Sequence, residues 1–347
     1  MRIVKNPHRG HAPLMDNVPM PSIAAHRVTQ LLSLCPAASQ TPLRDITGAL
    51  GTGEMWVKDE RSRMNLGSFK ALGAAYVIAC HATETGQDLD KNPLSGRTYV
   101  TASAGNHGLS VAAGARIFGA KAVIYLSQTV PDAFAERLAS QGAQVVRAGS
   151  DYAASMEAAQ TAAVENAWTL LSDSSWEGYM DLPHTLMEGY TQMAAEMVAQ
   201  APDVPTHIFL QAGVGGLAGA VAAYCREAWG NQPVITVVEP TAAPALMNSI
   251  EAGACVFADG PDSSMGRLDC KEPSLIALNG LARDADVFVT LEDARVEAVL
   301  PLLAEHDLNT SPSGAAGLAA ALEPEICSQL GIDARSKVMC ILSEGPA

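Results

Sequence analysis

The sequence predicts an α/β protein of two domains, in which parallel sheets are flanked by helices. Short apolar segments rich in β-branched residues alternate with longer Ala-rich periodic stretches, and this alternation is typical of parallel strands joined by helices. The chain has 347 residues, which is enough for two domains of ordinary size. Forty-eight per cent of the residues are hydrophobic and only 17% are charged, which indicates a well-filled core.

Eight strands are predicted from their short apolar runs. They lie at residues 55–58, 98–102, 120–126, 143–148, 168–171, 208–211, 234–238 and 338–342. Helices are predicted at the periodic stretches between them, most clearly at residues 132–141, 152–166 and 185–200. The four strands between residues 98 and 171 would form one block and the later strands another, with a junction near Pro202 and Pro205. The first forty residues, rich in Pro and His, are predicted to be a loosely structured arm able to cross to a partner subunit.

Lys70 follows a Gly-Ser turn and stands at the start of an apolar, helix-like run. Its amine would lie against Phe69 and Leu72 at the entrance of that helix. Partial desolvation there would lower the pKa of the amine and free its lone pair for imine formation with a carbonyl compound. A Ser-Phe-Lys string is more often a surface feature, so the motif alone does not define a site.

A second motif lies at residues 101–108, directly after the strand at 98–102 and before a small-residue helix. A turn between strand and helix directs backbone N–H groups and short hydroxyls at an anion, which suits the carboxylate of an amino acid. Asn106 can add a donor to an oxygen on a bound ring, although Gly, Asn and Ser favour any β-to-α turn. For His107 a structural role is favoured over proton transfer. The residues predicted to contact a substrate here are Ser103, Ala104, Gly105 and His107.

A Gly-rich segment at residues 211–219 follows an apolar strand and opens an Ala-rich helix. Glycines allow the backbone to approach a phosphate closely, and the helix N-terminus offers unpaired N–H groups. The segment is also compatible with a dinucleotide fingerprint, because Glu239 ends a strand about twenty residues further on, where a ribose-binding acid is expected. An NAD-dependent oxidoreductase therefore stays open on these residues alone.

In this order, the Ser-Phe-Lys, Ser-Ala-Gly-Asn-His-Gly and Ala-Gly-Val-Gly-Gly motifs resemble those of the fold type II pyridoxal phosphate (PLP) enzymes, the tryptophan-synthase-β family. The resemblance runs from about Thr41 to Gly345. It implies that Lys70 binds PLP as a Schiff base, that Asn106 contacts the ring 3′ oxygen and that Ser343 hydrogen-bonds the pyridine nitrogen. The residues that it implies for the phosphate are Gly213, Val214, Gly215, Gly216 and Leu217.

The resemblance also implies an architecture and a reaction type. Residues 1–84 and 196–347 would form a large PLP-binding domain, residues 85–195 a small domain, and the cofactor would lie between them. A neutral hydroxyl such as that of Ser343 leaves the ring nitrogen largely unprotonated, which suits β-elimination better than transamination. A catalytically silent PLP-fold binding protein is the alternative that is not an enzyme. A homodimer is the expected assembly.

Within that family, the segment from Asp173 to Tyr179 is similar to the diaminopropionate ammonia-lyases, which eliminate ammonia from 2,3-diaminopropionate to give pyruvate. Trp176 and Tyr179 could equally be core residues. Burying an acidic side chain beside a Trp at a strand end costs free energy unless the carboxylate has a partner or a function. Asp173 is therefore predicted to be catalytic together with Lys70. Either could remove the Cα proton, and Asp173 could protonate the departing amine.

Two departures leave the substrate open. The ammonia-lyases carry Asp immediately before Gly-Asn-His-Gly, where this chain has Ala104. This loop and the Pro-Ser-Gly-Ala-Ala string at residues 312–316 instead resemble threonine and serine dehydratases. Those enzymes usually have Glu before that Pro, where this chain has Ser311. A dehydratase of serine, threonine or another 3-hydroxy amino acid is therefore the alternative function.

Composition and charge argue against nucleic acid, membranes and metal ions as partners. There are 22 Lys and Arg residues against 37 Asp and Glu residues, and the net charge of −15 disfavours nucleic acid and anionic membrane surfaces as partners. No apolar run approaches the roughly 20 residues of a membrane span, and the N-terminus lacks signal-peptide features. The seven cysteines form no CxxC pair, which favours reduced thiols in a cytoplasm and gives no support to a metal site.

Overall fold

The computed structural model describes residues 1–35, 37–48 and 53–346, and its strands form two sheets. The strands are β1 (Ile3–Lys5), β2 (Leu43–Asp45), β3 (Glu54–Asp59), β4 (Thr98–Ala102), β5 (Lys121–Leu126), β6 (Gln144–Arg147), β7 (Thr169–Leu170), β8 (His207–Gln211), β9 (Val234–Pro240), β10 (Val287–Leu291) and β11 (Lys337–Leu342). The helices are α1 (Ala25–Leu32), α2 (Ala74–Glu84), α3 (Asn106–Ile117), α4 (Asp132–Ser140), α5 (Tyr152–Glu165), α6 (Asp181–Gln200), α7 (Gly216–Trp229), α8 (Ala245–Ala252), α9 (Leu275–Asp284), α10 (Asp293–Glu305), α11 (Pro312–Leu322) and α12 (Pro324–Leu330).

The larger sheet has seven strands in the order β1-β10-β9-β8-β11-β3-β2. Its five central strands are parallel, whereas β1 and β2 pair antiparallel at the two edges. The smaller sheet is wholly parallel, in the order β6-β5-β4-β7. All eight predicted strands occur, and the prediction of parallel sheets flanked by helices is confirmed. Strands β1, β2 and β10 were not predicted.

The N-terminal segment is part of the large sheet, so the prediction of a loosely structured arm is wrong. Strand β1 pairs with β10, and helix α1 packs against α6. The Asn6 side-chain amide donates hydrogen bonds to the carbonyls of Leu281, Ala282 and Ala285 at 2.6–3.2 Å. These bonds fasten the start of the chain to the C-terminal end of α9.

The two sheets suggest where the domains lie. The smaller sheet falls within residues 85–195, and every strand of the larger sheet falls within residues 1–84 or 196–347. We therefore propose these boundaries for the small and large domains. Helix α6 extends across the boundary at residue 195 and packs against α7. It therefore connects the small domain to the helices that cover the larger sheet.

Four buried charged residues fix the segment that leads to Lys70. This buried charge cluster consists of Lys58, Glu60, Arg63 and Glu196, each at most 4% exposed. Glu196 of α6 accepts from Lys58 Nζ and from Arg63 Nη2, both at 2.7 Å, and Arg63 also pairs with Glu60 at 2.7 Å. Two cations balance two anions, so the cluster can be buried without net charge.

Replacing Glu196 by Gln should lower the free energy of unfolding by about 3 kcal/mol, because Lys58 and Arg63 would then share one carboxylate in a buried site. Urea unfolding of the purified variant would measure this loss as a lower midpoint. A matched control is Glu251→Gln, since Glu251 pairs with Arg2 at the surface and both side chains are more than a third exposed. The control should change stability by less than about 0.5 kcal/mol. Equal midpoints for the two variants would contradict the role of the cluster.

Candidate active site

Lys70 lies in a short 3₁₀ turn, Phe69–Leu72, that leads directly into α2. The Ser68 side chain caps this turn by accepting the backbone N–H of Lys70 at 3.3 Å. The Phe69 backbone N–H donates to the Ser343 carbonyl at 3.1 Å, which ties the turn to the end of β11. The turn therefore presents the Lys70 amine beside the C-terminal end of a central strand, as expected for a helix entrance.

The Lys70 amine contacts Asp173, which follows β7 of the smaller sheet. Lys70 Nζ lies 2.5 Å from Asp173 Oδ2, and each side chain is about one-fifth exposed. Burial acts to lower the pKa of Lys70, but the nearby Asp173 carboxylate outweighs it and the pKa is raised. The pKa of Asp173 is lowered, because the positive charge of Lys70 and the hydrogen bond from its amine outweigh the effect of burial. The predicted lowering of the Lys70 pKa is thus wrong for this pairing.

The ion pair fixes which group holds the proton. Lys70 carries it as an ammonium, and Asp173 is a carboxylate that can accept a proton and then deliver it. The 2.5 Å contact between Lys70 Nζ and Asp173 Oδ2 leaves no room for a water molecule between the two groups. The structure therefore brings together the two residues predicted to be catalytic, Lys70 from a turn beside the larger sheet and Asp173 from the loop after β7 of the smaller sheet.

The predicted substrate loop connects β4 to α3. Gly105 caps α3, and its N–H donates to the Ser103 hydroxyl at 3.3 Å. Ala104 is half-buried and contributes only a methyl group to this turn. Asn106 begins α3 and donates from Nδ2 to Glu344 Oε2 at 2.5 Å. The loop and the residue after Ser343 are therefore neighbours.

His107 is buried in the first turn of α3. Its Nε2 lies 2.8 Å from the carbonyl of Leu171, at the end of β7. Burial lowers the pKa of His107, which favours a neutral imidazole. A neutral ring that donates to a backbone carbonyl orients the segment before Asp173. This contact favours the structural role predicted for His107.

The rings of the Asp173 segment hold that segment in place. Trp176 and Tyr179 stack with their centroids 4.3 Å apart. The Tyr179 hydroxyl accepts the Ser172 N–H at 3.1 Å and donates to the Leu170 carbonyl at 3.0 Å. Both rings are half-buried, and their contacts position the backbone on either side of Asp173.

The predicted phosphate loop joins β8 to α7. Gly215 has φ +97°, a left-handed conformation that favours glycine, and α7 begins at Gly216. A Cβ on Gly213 would lie 2.9 Å from Cys270 Sγ and 3.0 Å from the Arg267 carbonyl, so only glycine fits there. Because these glycines have no side chains, an anion can approach the backbone N–H groups at the N-terminus of α7. This arrangement suits an anionic group such as the PLP phosphate.

Tyr190, to which the sequence analysis assigned no role, connects this loop to Lys70. Its ring lies 3.5 Å from the position of a Cβ on Gly216, and its centroid is 5.9 Å from Lys70 Nζ. Its buried hydroxyl has no hydrogen-bond partner within the part of the chain that the structure describes. Burial raises the pKa of Tyr190 to about 12. An unpartnered buried hydroxyl on a ring that lies between the lysine and the phosphate loop fits a site that binds a polar cofactor.

Glu239 does not support the dinucleotide-binding alternative. Its carboxylate is fully buried and accepts the backbone N–H groups of Leu246 at 2.7 Å and Met247 at 2.8 Å. These bonds cap the N-terminus of α8. A carboxylate engaged in this way is not directed at a ribose.

Across residues 1–35, 37–48 and 53–346, no three His, Cys, Asp or Glu side chains are grouped so that they could hold a metal ion. The same ranges contain no helix with the length and apolar character of a membrane span. All seven cysteines are free thiols, and Cys225 and Cys340 are buried.

The lysine at the helix entrance, the asparagine loop (residues 103–106) and the glycine loop together define a PLP-dependent enzyme of fold type II. The chain belongs to the family described as pyridoxal-phosphate dependent enzyme (PALP), whose family model matches residues 34–344. This match confirms the predicted family and cofactor. It also favours a PLP-dependent enzyme over the alternative of an NAD-dependent oxidoreductase.

Among its relatives, the chain is similar to a diaminopropionate ammonia-lyase of Salmonella typhimurium, with 30% identity covering 92% of this chain and 88% of that one. A crystal structure of the diaminopropionate ammonia-lyase of Escherichia coli in complex with D-serine is 27% identical and superposes with a TM-score of 0.89, covering 99% and 93% of the two chains. The chain is also 26% identical to the L-threonine ammonia-lyase of Thermotoga maritima, covering 89% and 70%. The predicted likeness to ammonia-lyases is confirmed.

Proposed function

We propose that this enzyme catalyses the α,β-elimination of ammonia from 2,3-diaminopropionate, giving pyruvate and a second ammonia after hydrolysis. The observation that carries this proposal is the 2.5 Å contact between Lys70 and Asp173, because a carboxylate next to the lysine can receive a proton from it and then deliver that proton to a leaving amine. The similarity to diaminopropionate ammonia-lyases over nearly the whole chain supports it.

The site residues would hold the cofactor in four ways. Lys70 would bind it covalently, Asn106 would donate to the ring oxygen and Ser343 would contact the ring nitrogen. The phosphate would lie against the loop formed by Gly213, Val214, Gly215, Gly216 and Leu217. When bound, PLP withdraws electrons from the substrate Cα, and this is the chemistry that the protein side chains do not supply.

Proton movement is the task of Lys70 and Asp173. Either can take the Cα proton, and an amine at the β-carbon must receive a proton before it can depart. Asp173 lies in contact with Lys70 and can accept a proton from it and pass that proton to the β-amine. Ser103, Gly105 and His107 would orient the substrate carboxylate through the loop and the first turn of α3.

A dehydratase acting on serine, threonine or another 3-hydroxy amino acid is the second candidate. Ala104 favours it, because the dehydratases lack a carboxylate at this position of the loop. A panel of amino acids, assayed for release of pyruvate or 2-oxobutyrate together with ammonia, would distinguish the two. Turnover of serine or threonine without turnover of diaminopropionate would overturn the first proposal.

Ala104 also predicts the stereochemistry. Opposite enantiomers present their Cα protons on opposite faces of the cofactor, and the Ala104 methyl cannot accept a proton. We therefore expect a strong preference for L-diaminopropionate. Ala104→Asp should raise activity on the D enantiomer if its carboxylate comes within about 2.6–3.2 Å of the proton. Steady-state rates on both enantiomers test this prediction, with Ala104→Asn as the uncharged control. Equal wild-type rates on D and L substrate would contradict it.

We further propose that the enzyme is a cytoplasmic homodimer. Seven free thiols are consistent with a reducing compartment. The dimer rests on the family resemblance alone. Light scattering of the purified protein would measure its mass, and a monomer of about 36 kDa would overturn the dimer proposal.

A further inference from the structure

Glu344 is a buried carboxylate next to Ser343, and it accepts hydrogen bonds from two other parts of the site. Asn106 Nδ2 donates to its Oε2 at 2.5 Å, and the Ser311 hydroxyl donates to its Oε1. Arg267 Nη1 lies 3.0 Å from the same Oε1. The side chain of Glu344 is only 5% exposed. Glu344 is not among the site residues that were predicted from the sequence.

The backbone of Glu344 is fixed as well. It forms a β-bridge with Ser68, two residues before Lys70, and its carbonyl accepts the Thr310 hydroxyl at 2.6 Å. One residue thus connects the Lys70 turn, the asparagine loop and the start of α11. At position 311 the dehydratases usually carry Glu, whereas in this chain a carboxylate reaches the Ser311 side chain from the end of β11.

We propose that Glu344 is a positioning residue for the cofactor, which holds Asn106 as a hydrogen-bond donor and places a negative charge near the Lys70 nitrogen. This inference rests on the proposed contact between Asn106 and the ring oxygen, but not on the identity of the substrate. An ionised carboxylate can only accept hydrogen bonds, so it selects the orientation in which Asn106 Nδ2 faces it. The second N–H of that amide then remains available for the ring.

The charges around Glu344 bear on its ionisation. Burial is the largest effect on Glu344 and raises its pKa above the ordinary value for a glutamate, although the charges of Arg267, Lys70 and Arg137 and the hydroxyl of Ser311 act to lower it. Within the part of the chain that the structure describes, the side chains that contact the carboxylate are Asn106, Ser311 and Arg267, and all three are donors. Asp173, Tyr190 and Cys270 act to raise the pKa of the Lys70 amine.

The test is a pH titration of the visible absorbance of the PLP-bound enzyme. A negative charge favours the protonated form of a nearby nitrogen, so its removal in Glu344→Gln should lower the midpoint of the absorbance change by about one pH unit. Affinity for PLP should also fall by about tenfold, because Gln can also pair with Asn106 in the wrong orientation. The matched control is Glu188→Gln, which removes an equally buried carboxylate that accepts from Ser22 and Tyr76. The control should keep the wild-type midpoint.

Two further variants keep the inference falsifiable. Glu344→Asp retains the charge but loses reach, so the midpoint should stay near the wild-type value while PLP affinity falls. Arg267→Gln removes the cation that pairs with Glu344 and should raise the midpoint, which decides the question if Glu344→Gln does not fold. An unchanged midpoint in folded Glu344→Gln, or in Arg267→Gln, would overturn the inference. A wild-type enzyme without a visible band would instead contradict the proposed role of Lys70.

Discussion

Lys70→Ala should abolish the visible absorbance of the bound cofactor and lower elimination by several orders of magnitude. Lys70 is proposed both to bind the cofactor covalently and to transfer a proton, and one substitution removes both roles. Lys70 lies in a turn that is capped by Ser68 and hydrogen-bonded to Ser343, so its backbone is held in one position. Another lysine is therefore not expected to bind the cofactor in its place. Absorbance and single-turnover rates on the purified protein measure the two losses separately.

Two controls sharpen this experiment. Lys70→Arg keeps a positive charge beside Asp173 but cannot form an imine, so it should retain the fold and still lack the absorbance. Lys121→Ala removes an exposed lysine at the start of β5 and should leave both properties unchanged. A Lys70→Ala enzyme with normal absorbance and normal rate would refute the assignment of this residue.

Asp173→Asn should retain the cofactor absorbance but slow elimination by about 10²–10⁴, which is the usual range of general acid–base catalysis. The amide has nearly the same shape and can still accept a hydrogen bond from Lys70, but it cannot carry the proton to a leaving amine. The loss should be larger for an amine leaving group than for one that departs without protonation. Rates on diaminopropionate and on β-chloroalanine would measure that difference.

The control for this variant is Asp181→Asn, at the exposed start of α6, which should be silent. Full activity of Asp173→Asn on diaminopropionate would exclude the proton-transfer role. If the variant instead loses its thermal unfolding transition, then Asp173 contributes to folding, together with the stacked rings of Trp176 and Tyr179.

Local patterns were sufficient to predict much of this protein. Apolar runs with β-branched residues predicted the central strands, because those strands are buried on both faces and leave a continuous signal. Lys70 and the loop from Gly213 to Leu217 were found because each combines a turn with the start of a helix. The edge strands β1 and β2 were missed, since three residues are too few to show a period. Strand β10 carries the apolar β-branched pattern and could have been predicted.

Long-range contacts could not be predicted in the same way. The pKa of Lys70 depends on Asp173, which lies 103 positions further along the chain. The sequence therefore predicted the burial of Lys70, which lowers its pKa, but not the Asp173 carboxylate, which raises it. Glu344 meets Asn106 across 238 positions, and no local spacing indicates that contact. The unpartnered hydroxyl of Tyr190 could not be predicted, because it results from the packing of α6 beside the glycine loop.

The pairing of β1 with β10 has a consequence for handling the protein. Strand β1 is only three residues long and ends in Lys5, and it covers the hydrogen-bonding edge of the apolar strand β10. A short, charged edge strand is a poor template for another molecule, whereas a bare apolar edge recruits strands from other chains. Trimming the first nine residues would expose that edge, and the shortened protein would be prone to aggregate even with every residue near Lys70 intact.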